Sequence, residues 1–514
     1  MFAQRLSSDW LSSSRLDTDF YNPEAIRVIE CICSRSHERF QNAGKVWGFG
    51  AYELCNNIEV TDNPNSPGFI KIGDLLSPFI NVDGVLAVTK ATHEMLHMAE
   101  VKPGDIVYSI AGTIGASAII PRTSRLLTGN QALLKFRADF SKFDNYFISA
   151  YGLTKQFKLI VMKEAGGAIQ KNLYLYNFLT IPIPKPDLQV QAYIGNKVRQ
   201  AELLKEWANI LDKKIKNYFD NLLNNIPTKK VSKKHATVSP DVLIPRINAE
   251  FYSEDYRQVE KALKENFDSL VTIEDIAPVN KNKNKPVSKC TYFEIGDVDC
   301  VTGKFENGTT YELGDAPNNA QRKANFGDIL LSTRRPHRGA VAVVENEDKG
   351  NYYSVFLVRL VPKNLGLSYW LKEYLRHDVG KALMLMRCTW TTYPVISEDD
   401  ISTIPVPKVE EDWSYVGDLA SLKNKLHSLS NNLTKLSQLL VESLIDGEIS
   451  ELQLIEAQQA LEDGDKSKDR SILSKITDQG YLADDGKPLF TDLDKLYELL
   501  DEAKVAVDAN EESD

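Results

Sequence analysis

The chain repeats itself, and that constrains its fold more than anything else in the sequence. Arg15-Leu-Asp-Thr-Asp-Phe-Tyr21 returns as Arg246-Ile-Asn-Ala-Glu-Phe-Tyr252, 231 positions later. Three further segments return 223 positions on: Phe69-Ile-Lys-Ile-Gly-Asp-Leu75 as Tyr292-Phe-Glu-Ile-Gly-Asp-Val298, Gly104-Asp-Ile-Val-Tyr-Ser109 as Gly327-Asp-Ile-Leu-Leu-Ser332, and Ile181-Pro-Ile-Pro-Lys185 as Ile404-Pro-Val-Pro-Lys408. Gly115 matches Gly339 at 224. Matches in one order at a nearly constant offset define a tandem duplication of a unit of roughly 190 residues. Whatever one copy folds into, the other must fold into as well.

Within each copy the pattern is mostly short strands. Ile106-Val-Tyr-Ser-Ile and Ile329-Leu-Leu-Ser-Thr are apolar runs after a Gly-Asp turn, and Ala340 to Val344 reads as a buried strand. Tyr146 to Tyr151 and Tyr369 to Leu375 open stretches of helical spacing. Ile-Pro-x-Pro lacks the donors of a regular ladder and reads as an extended exit from the domain. After the second copy, Leu422, Leu426, Leu429, Leu433, Leu436 and Leu440 alternate by four and three, a coiled-coil seam. After the first, Ile194, Ala201, Ala208, Ile215 and Leu222 recur at seven, with Leu204, Leu211 and Tyr218 on the alternate seam and Lys197 as the one break. Small alanines admit a Leu-rich partner, so the two helices are expected to pair with each other, antiparallel. Each would span about 50 Å at ~1.5 Å per residue. Such a pair makes a caliper holding two similar domains apart; along DNA that length corresponds to roughly fifteen base pairs, at most.

The expected class is α/β (α+β): two tandem recognition domains, residues 1–187 and 227–409, separated by long helices at 188–226 and 410–448, with an acidic helical extension at 449–514. Composition matters here chiefly for charge. The chain carries a net −10, yet residues 446–514 alone hold 20 acidic and 7 basic side chains. The rest is mildly basic, so overall charge does not argue against a nucleic-acid partner. The extension can be imagined screening a basic groove, but a solvated appendage or partner-docking element is the simpler expectation. Six cysteines, with no paired spacing beyond Cys31 and Cys33, exclude a disulfide framework or zinc ribbon. The first twenty residues are polar and no apolar run approaches the ~20 residues of a membrane helix, so a soluble cytoplasmic protein without membrane contact is expected.

Taken in order and in duplicate, Gly-Asp-Ile-x-x-Ser followed by Gly, the closing Ile-Pro-x-Pro and the trailing helix resemble the specificity (S) subunits of type I restriction-modification enzymes. Gln191-Ala-Tyr-Ile-Gly-Asn-Lys-Val begins the first helix, and Val441-Glu-Ser-Leu-Ile-Asp-Gly-Glu-Ile ends the second, in a manner similar to that family. The likeness covers about residues 12 to 450; residues 450 to 514 go beyond the family's simplest pattern. The resemblance implies two target recognition domains, each reading half of a bipartite site on double-stranded DNA in the major groove. It also implies helical spacers docking two adenine-N6 methyltransferase (M) subunits, with ATP-dependent restriction (R) subunits joining. The chain itself would need no cofactor; S-adenosylmethionine, ATP and Mg would reside on the partners.

Base reading needs forked donors and acceptors in loops near the groove, whereas phosphate contacts add affinity with little sequence information. The densest candidate is Thr333-Arg-Arg-Pro-His-Arg-Gly339, with Arg334, Arg335, His337 and Arg338. A second is Arg387-Cys-Thr-Trp-Thr-Thr-Tyr393, with Arg387 and Thr391, where Trp390 and Tyr393 serve equally as core or contact. In the first copy the corresponding loops carry Thr113 and Lys163-Glu-Ala-Gly-Gly-Ala-Ile-Gln-Lys171. Gln170 suits adenine N6 and N7; Lys163 and Lys171 suit phosphate. For the helical interface the expected residues are Ile194, Ala201, Leu204, Leu211, Leu422, Leu426, Leu429, Leu433 and Leu436.

One motif points elsewhere. His93-Glu-Met-Leu-His97 fits H-E-x-x-H, in which two histidines on one helical face bind zinc and the glutamate is the base. Val101-Lys-Pro-Gly104 ends any helix within about a turn, and the second copy has Ala316 and Ala320 instead, so an incidental polar helix is expected and no metal site. A G-x-x-x-x-G-K-[ST] loop, a Gly-rich cofactor turn, an Asn-Pro-Pro-Tyr-like motif and a Gly-x-Ser-x-Gly elbow are all missing. The expectation is a non-catalytic recognition subunit. A coiled-coil scaffold without sequence readout, and a zinc hydrolase, are the two rivals.

Overall fold

A computed structural model describes residues 15, 17–48, 56–167, 171–228, 249–300, 302–306, 308–345, 351–390, 392–483 and 486–511. The chain divides into two compact units: Met1–Glu206 with Ser428–Asp514, and Trp207–His427. Both mix helices with short-stranded sheets.

The duplication is visible strand by strand. In the first unit a four-stranded antiparallel sheet runs Gly44–Trp47, Leu133–Ala138, Ile106–Ser109, Ser117–Ile119. In the second the same order is built by Val279–Asn280, Leu357–Leu360, Ile329–Ser332 and Val341–Val343. A second four-stranded sheet in each unit contains a parallel pair, Gly68–Ile70 with Leu127–Gly129 and Cys290–Phe293 with Tyr352–Ser354. Those are the parallel pairs among the described strands; the others are antiparallel, which makes the units α+β.

Individual hydrogen bonds repeat too. Asp105, in the Gly-Asp turn, accepts from Arg137 Nε at 2.6 Å, and Asp328 from Arg359 Nε at 2.7 Å. The Tyr151 hydroxyl donates to the Pro182 carbonyl at 2.8 Å, and the Tyr374 hydroxyl to Pro405 at 2.8 Å. The Ile-Pro-x-Pro segments are thereby more than an exit. Pro182–Pro184 pairs antiparallel with His37–Arg39, and Pro405–Pro407 with Leu270–Thr272. A short two-stranded ladder needs few donors, and the middle residue keeps its N–H, so proline is tolerated there.

A long helix follows each copy, Leu188–Leu222 and Glu410–Asp446. In the second unit Asp212 meets Lys423 and Tyr218 meets Asp412, so the segments there run antiparallel. In the first unit Ser430 Oγ donates to the Ala201 carbonyl at 2.7 Å, a close approach that the alanine permits. Ile194, Ala201, Leu204, Leu211, Leu426, Leu433 and Leu436 are buried. Leu422 and Leu429, expected in the seam, are only half-buried. Buried positions along this helix include Lys423, Leu426, Ser430, Leu433, Leu436, Ser437 and Leu440. In the second unit the helix also presses on its domain: a Cβ on Gly417 would lie 2.1 Å from the Gly366 carbonyl oxygen.

Lys197, the break in the first helical pattern, is buried against Asp469 from the acidic extension, with Nζ–Oδ distances of 2.7 and 2.9 Å. Residues 449–511 form the helices Glu451–Glu462, Ser467–Leu473 and Leu493–Glu511 with a small hairpin, and pack within the first unit. Among the described residues no helix is long and apolar enough to cross a membrane.

Candidate nucleic-acid interface

In each unit the loop after the central strand meets the segment before Ile-Pro-x-Pro. The Leu173 N–H donates to the Ile110 carbonyl, and the Ile396 N–H to the Thr333 carbonyl, both at 2.9 Å and 223 positions apart. The duplication therefore presents two copies of one loop pair, decorated differently.

The second unit's loop is the richer. Ser332 Oγ accepts from the Arg334 N–H at 3.2 Å and donates to its carbonyl at 2.8 Å, pinning the turn. Arg334 lies flat over Phe356, its guanidinium carbon 3.4 Å from the ring centroid and 5.9 Å from that of Tyr393. Arg335 is exposed, 5.4 Å from the Tyr393 ring, and has φ +49°. That left-handed conformation costs a residue with a Cβ roughly 1–2 kcal/mol. Arg338 is exposed at the end of a single helical turn, Pro336–Arg338. Burial holds His337 below the ordinary histidine range, with Arg338, Arg335 and Lys381 adding to the effect. The loop thus carries three permanent cations and one imidazole that stays neutral near pH 7.

Beside it the hairpin Thr389–Trp390 with Pro394–Val395 leaves Trp390 47% exposed, outside the core. Arg387 does not join this surface. It is buried, ion-paired with Glu260, and donates to Thr403 Oγ1 and the Leu383 carbonyl, each at 3.1 Å. Its expected DNA role is corrected: the guanidinium is buried and satisfied by an acidic partner inside the fold. Thr391 lies outside the described residues.

In the first unit Thr113 is exposed on the matching loop, between Gly112 and Gly115. Lys163, expected on phosphate, is buried: its ammonium pairs with Glu164 at 2.9 Å and sits 3.8 Å over the Phe20 ring. Adjacent carboxylate and aromatic face satisfy it internally, so that expectation is corrected as well. Lys171 is half-buried and ion-paired with Asp19, leaving it at the rim. Gln170 lies outside the described residues. What the sequence reading missed is Tyr174 and Tyr176, stacked with centroids 5.6 Å apart and planes 7° from parallel, 50% and 68% exposed. Two aromatic rings one residue apart, directly after the repeated Leu173 bond, are the signal that would have found them. Exposed aromatics beside cations suit stacking on bases and pairing with phosphates.

The H-E-x-x-H residues do not share a face. The helix Lys90–Met95 gives way at Leu96 to a tighter turn, His97–Ala99; His93 is buried and His97 exposed. Among the described residues no group of His, Cys, Asp and Glu is placed to hold a metal ion. We expect chelation with EDTA to leave the melting temperature unchanged within about 1 °C, because the described residues bring together no His, Cys, Asp and Glu group through which a metal would add folding energy. A clear drop in a thermal melt would restore the zinc reading.

No family model matches the chain, and no curated protein matches it. Solved structures do. The type I restriction-modification S subunit from M. genitalium aligns with 82% of this chain and 95% of its own, at 13% identity and a TM-score of 0.41. The HsdS subunit from Thermoanaerobacter tengcongensis aligns with 80% of this chain and 97% of its own, at 15% identity and 0.26. A chain from a structure concerned with complex assembly and conformational transition of the type I R-M system aligns with 80% and 98%, at 14% and 0.26. Over most of its length, this chain is similar to solved type I restriction-modification S subunits.

Proposed function

We propose that the protein is the DNA sequence-recognition subunit of a type I restriction-modification complex, reading a bipartite target on double-stranded DNA. The observation that carries this reading is the duplicated loop pair: one hydrogen-bonded frame, built twice, bearing arginines with Trp390 in one copy and a tyrosine stack in the other. A conserved frame with divergent side chains is what two related readers of unlike half-sites need. Arginine forks match guanine O6 and N7, and exposed rings stack on or wedge beside bases. The chain would transfer no methyl group itself. The paired helices would dock two adenine-N6 methyltransferase subunits, which bring S-adenosylmethionine, while restriction subunits bring ATP and Mg chemistry. The complex would act in the cytoplasm.

The test is a domain exchange. Residues 246–409 are replaced by the equivalent segment of another such subunit, and the chain is expressed with its methyltransferase partner in a host lacking adenine methylation. Genome-wide methylation is expected on a two-part motif with a fixed gap, one half changing with the exchange and the other constant. Absence of any two-part motif while the methyltransferase is active refutes the reading.

A further inference from the structure

The two copies of the loop differ at one backbone position in a way that singles out a side chain. Gly112 has φ +67°, and 223 positions later Arg335 has φ +49°. Gly115 and Gly339, the next turn residues, keep glycine in both copies at +78° and +82°. The frame therefore requires a left-handed residue here, and the first copy supplies the amino acid that adopts it freely. The second copy places an arginine there. Among the described residues, Arg335 and Leu482 are the non-glycine positions with positive φ. Pro336 follows Arg335, and proline further restricts the backbone of the residue before it.

The surroundings hold that conformation in place. The Arg335 N–H donates to the Pro394 carbonyl at 2.8 Å, and its own carbonyl accepts from Arg338 at 3.0 Å. Its side chain, in contrast, is exposed and lies 5.4 Å from the Tyr393 ring. The turn would be easier without a Cβ. Arg334 is engaged flat on Phe356, and Arg338 occupies ordinary helical backbone. A bulky residue kept in a glycine conformation, with its functional end free, marks a site where the side chain does the work.

We propose that Arg335 is the specificity-determining residue of the second recognition unit and selects a guanine in that half-site; this rests on the DNA-recognition reading above. Tyr393 lies beside it, and Gly112 carries no side chain at the same spot in the first unit, whose half-site is read by other groups. The closing experiment uses the full chain co-expressed with its methyltransferase partner, comparing the parent with Arg335→Gly and Arg335→Lys by methylation mapping and thermal melting. Arg335→Gly should leave the melting temperature unchanged or higher and keep the first half-motif. One guanine position of the second half should become degenerate, with discrimination falling roughly 5- to 150-fold, the range set by one bidentate base contact. Arg335→Lys retains the charge but not the fork, so the same position should relax while methylation elsewhere persists. An unchanged second half-motif in Arg335→Gly overturns the proposal, as does a marked fall in melting temperature, which would make the residue structural. If the parent itself shows no two-part motif, the recognition reading fails first, so the two failures are distinguishable.

Discussion

Asp469→Ala is expected to lower the stability of the first unit by about 3–5 kcal/mol, on the order of 10 °C in melting temperature, because it leaves a buried ammonium without its counter-charge. The Asp469 carboxylate is fully enclosed and accepts from the Tyr193 hydroxyl at 2.6 Å, the Tyr497 hydroxyl at 2.6 Å and Lys197 at 2.7 and 2.9 Å. Burial alone would push this carboxyl up; Lys197 and the two phenols override it and hold it below the usual aspartate range. A carboxylate depressed in the folded state contributes stability above its unfolded value and loses it as pH falls through the folded one. The parent should therefore melt earlier in strong acid, and Asp469→Ala should lack that portion of the acid sensitivity. The double variant Lys197→Met, Asp469→Leu removes both charges and should recover most of the loss. A melt of Asp469→Ala within about 1 °C of the parent would show that the pair contributes nothing.

Glu373→Gln is the second large effect, in the other unit. This largely buried carboxylate lies 3.1 Å from Lys372, 3.0 Å from Lys423 and 3.8 Å from Arg376. Lys423 also reaches Asp212 at 2.7 Å, and Lys372 donates to Asn424 Oδ1 at 3.3 Å. Burial raises Glu373, but the three cations hold it far below the usual glutamate range. Lys372 is pushed down from 10.5 to about 8, first by burial and then by Lys423 and Arg376, against the pull of Glu373. Neutralising Glu373 leaves three cations together out of water, a loss of about 3–5 kcal/mol at pH 7.

The pH dependence has a definite sign. A lysine depressed in the folded state binds fewer protons than in the unfolded chain between about 8 and 10.5, so its cost is full below that window and relieved as pH rises through it. Without Glu373 the relief begins lower, so the deficit of Glu373→Gln should shrink between pH 7 and pH 9.5. Parallel thermal melts at the two pH values decide it; an equal deficit at both would remove Lys372 from the account.

Much of the fold was legible because duplication writes it twice. The Gly-Asp turn, the central strand, Ile-Pro-x-Pro and the long helices all stand where the repeats and heptads put them. Contacts made by side chains from distant parts of the chain were not legible. Lys197 was visible as an anomaly in a heptad, but its partner lies 272 positions away in an extension with no internal copy to compare. Leu426, Leu433 and Leu436 are buried while Leu422 and Leu429 are half-buried, since heptad spacing marks an apolar face without ranking the burial of each position on it. Lys163 and Arg387 looked available because a cation in a polar stretch does not reveal that Glu164 or Glu260 encloses it. The glycine counterpart of Arg335 was in the sequence at the repeat offset all along; only the backbone angle gave it meaning.

The first unit is assembled from two stretches of chain, with the second unit encoded wholly between them. On the ribosome this imposes an order. Residues 207–427 are complete as a folding unit while Asp469 has yet to be synthesised, and Lys197 must wait through that interval as an uncompensated charge. A nascent chain cut short between His427 and Asp469 would thus carry a complete second unit and an incomplete first one, exposed to chaperones and proteases. Completing the first unit thus requires translation to run past Asp469.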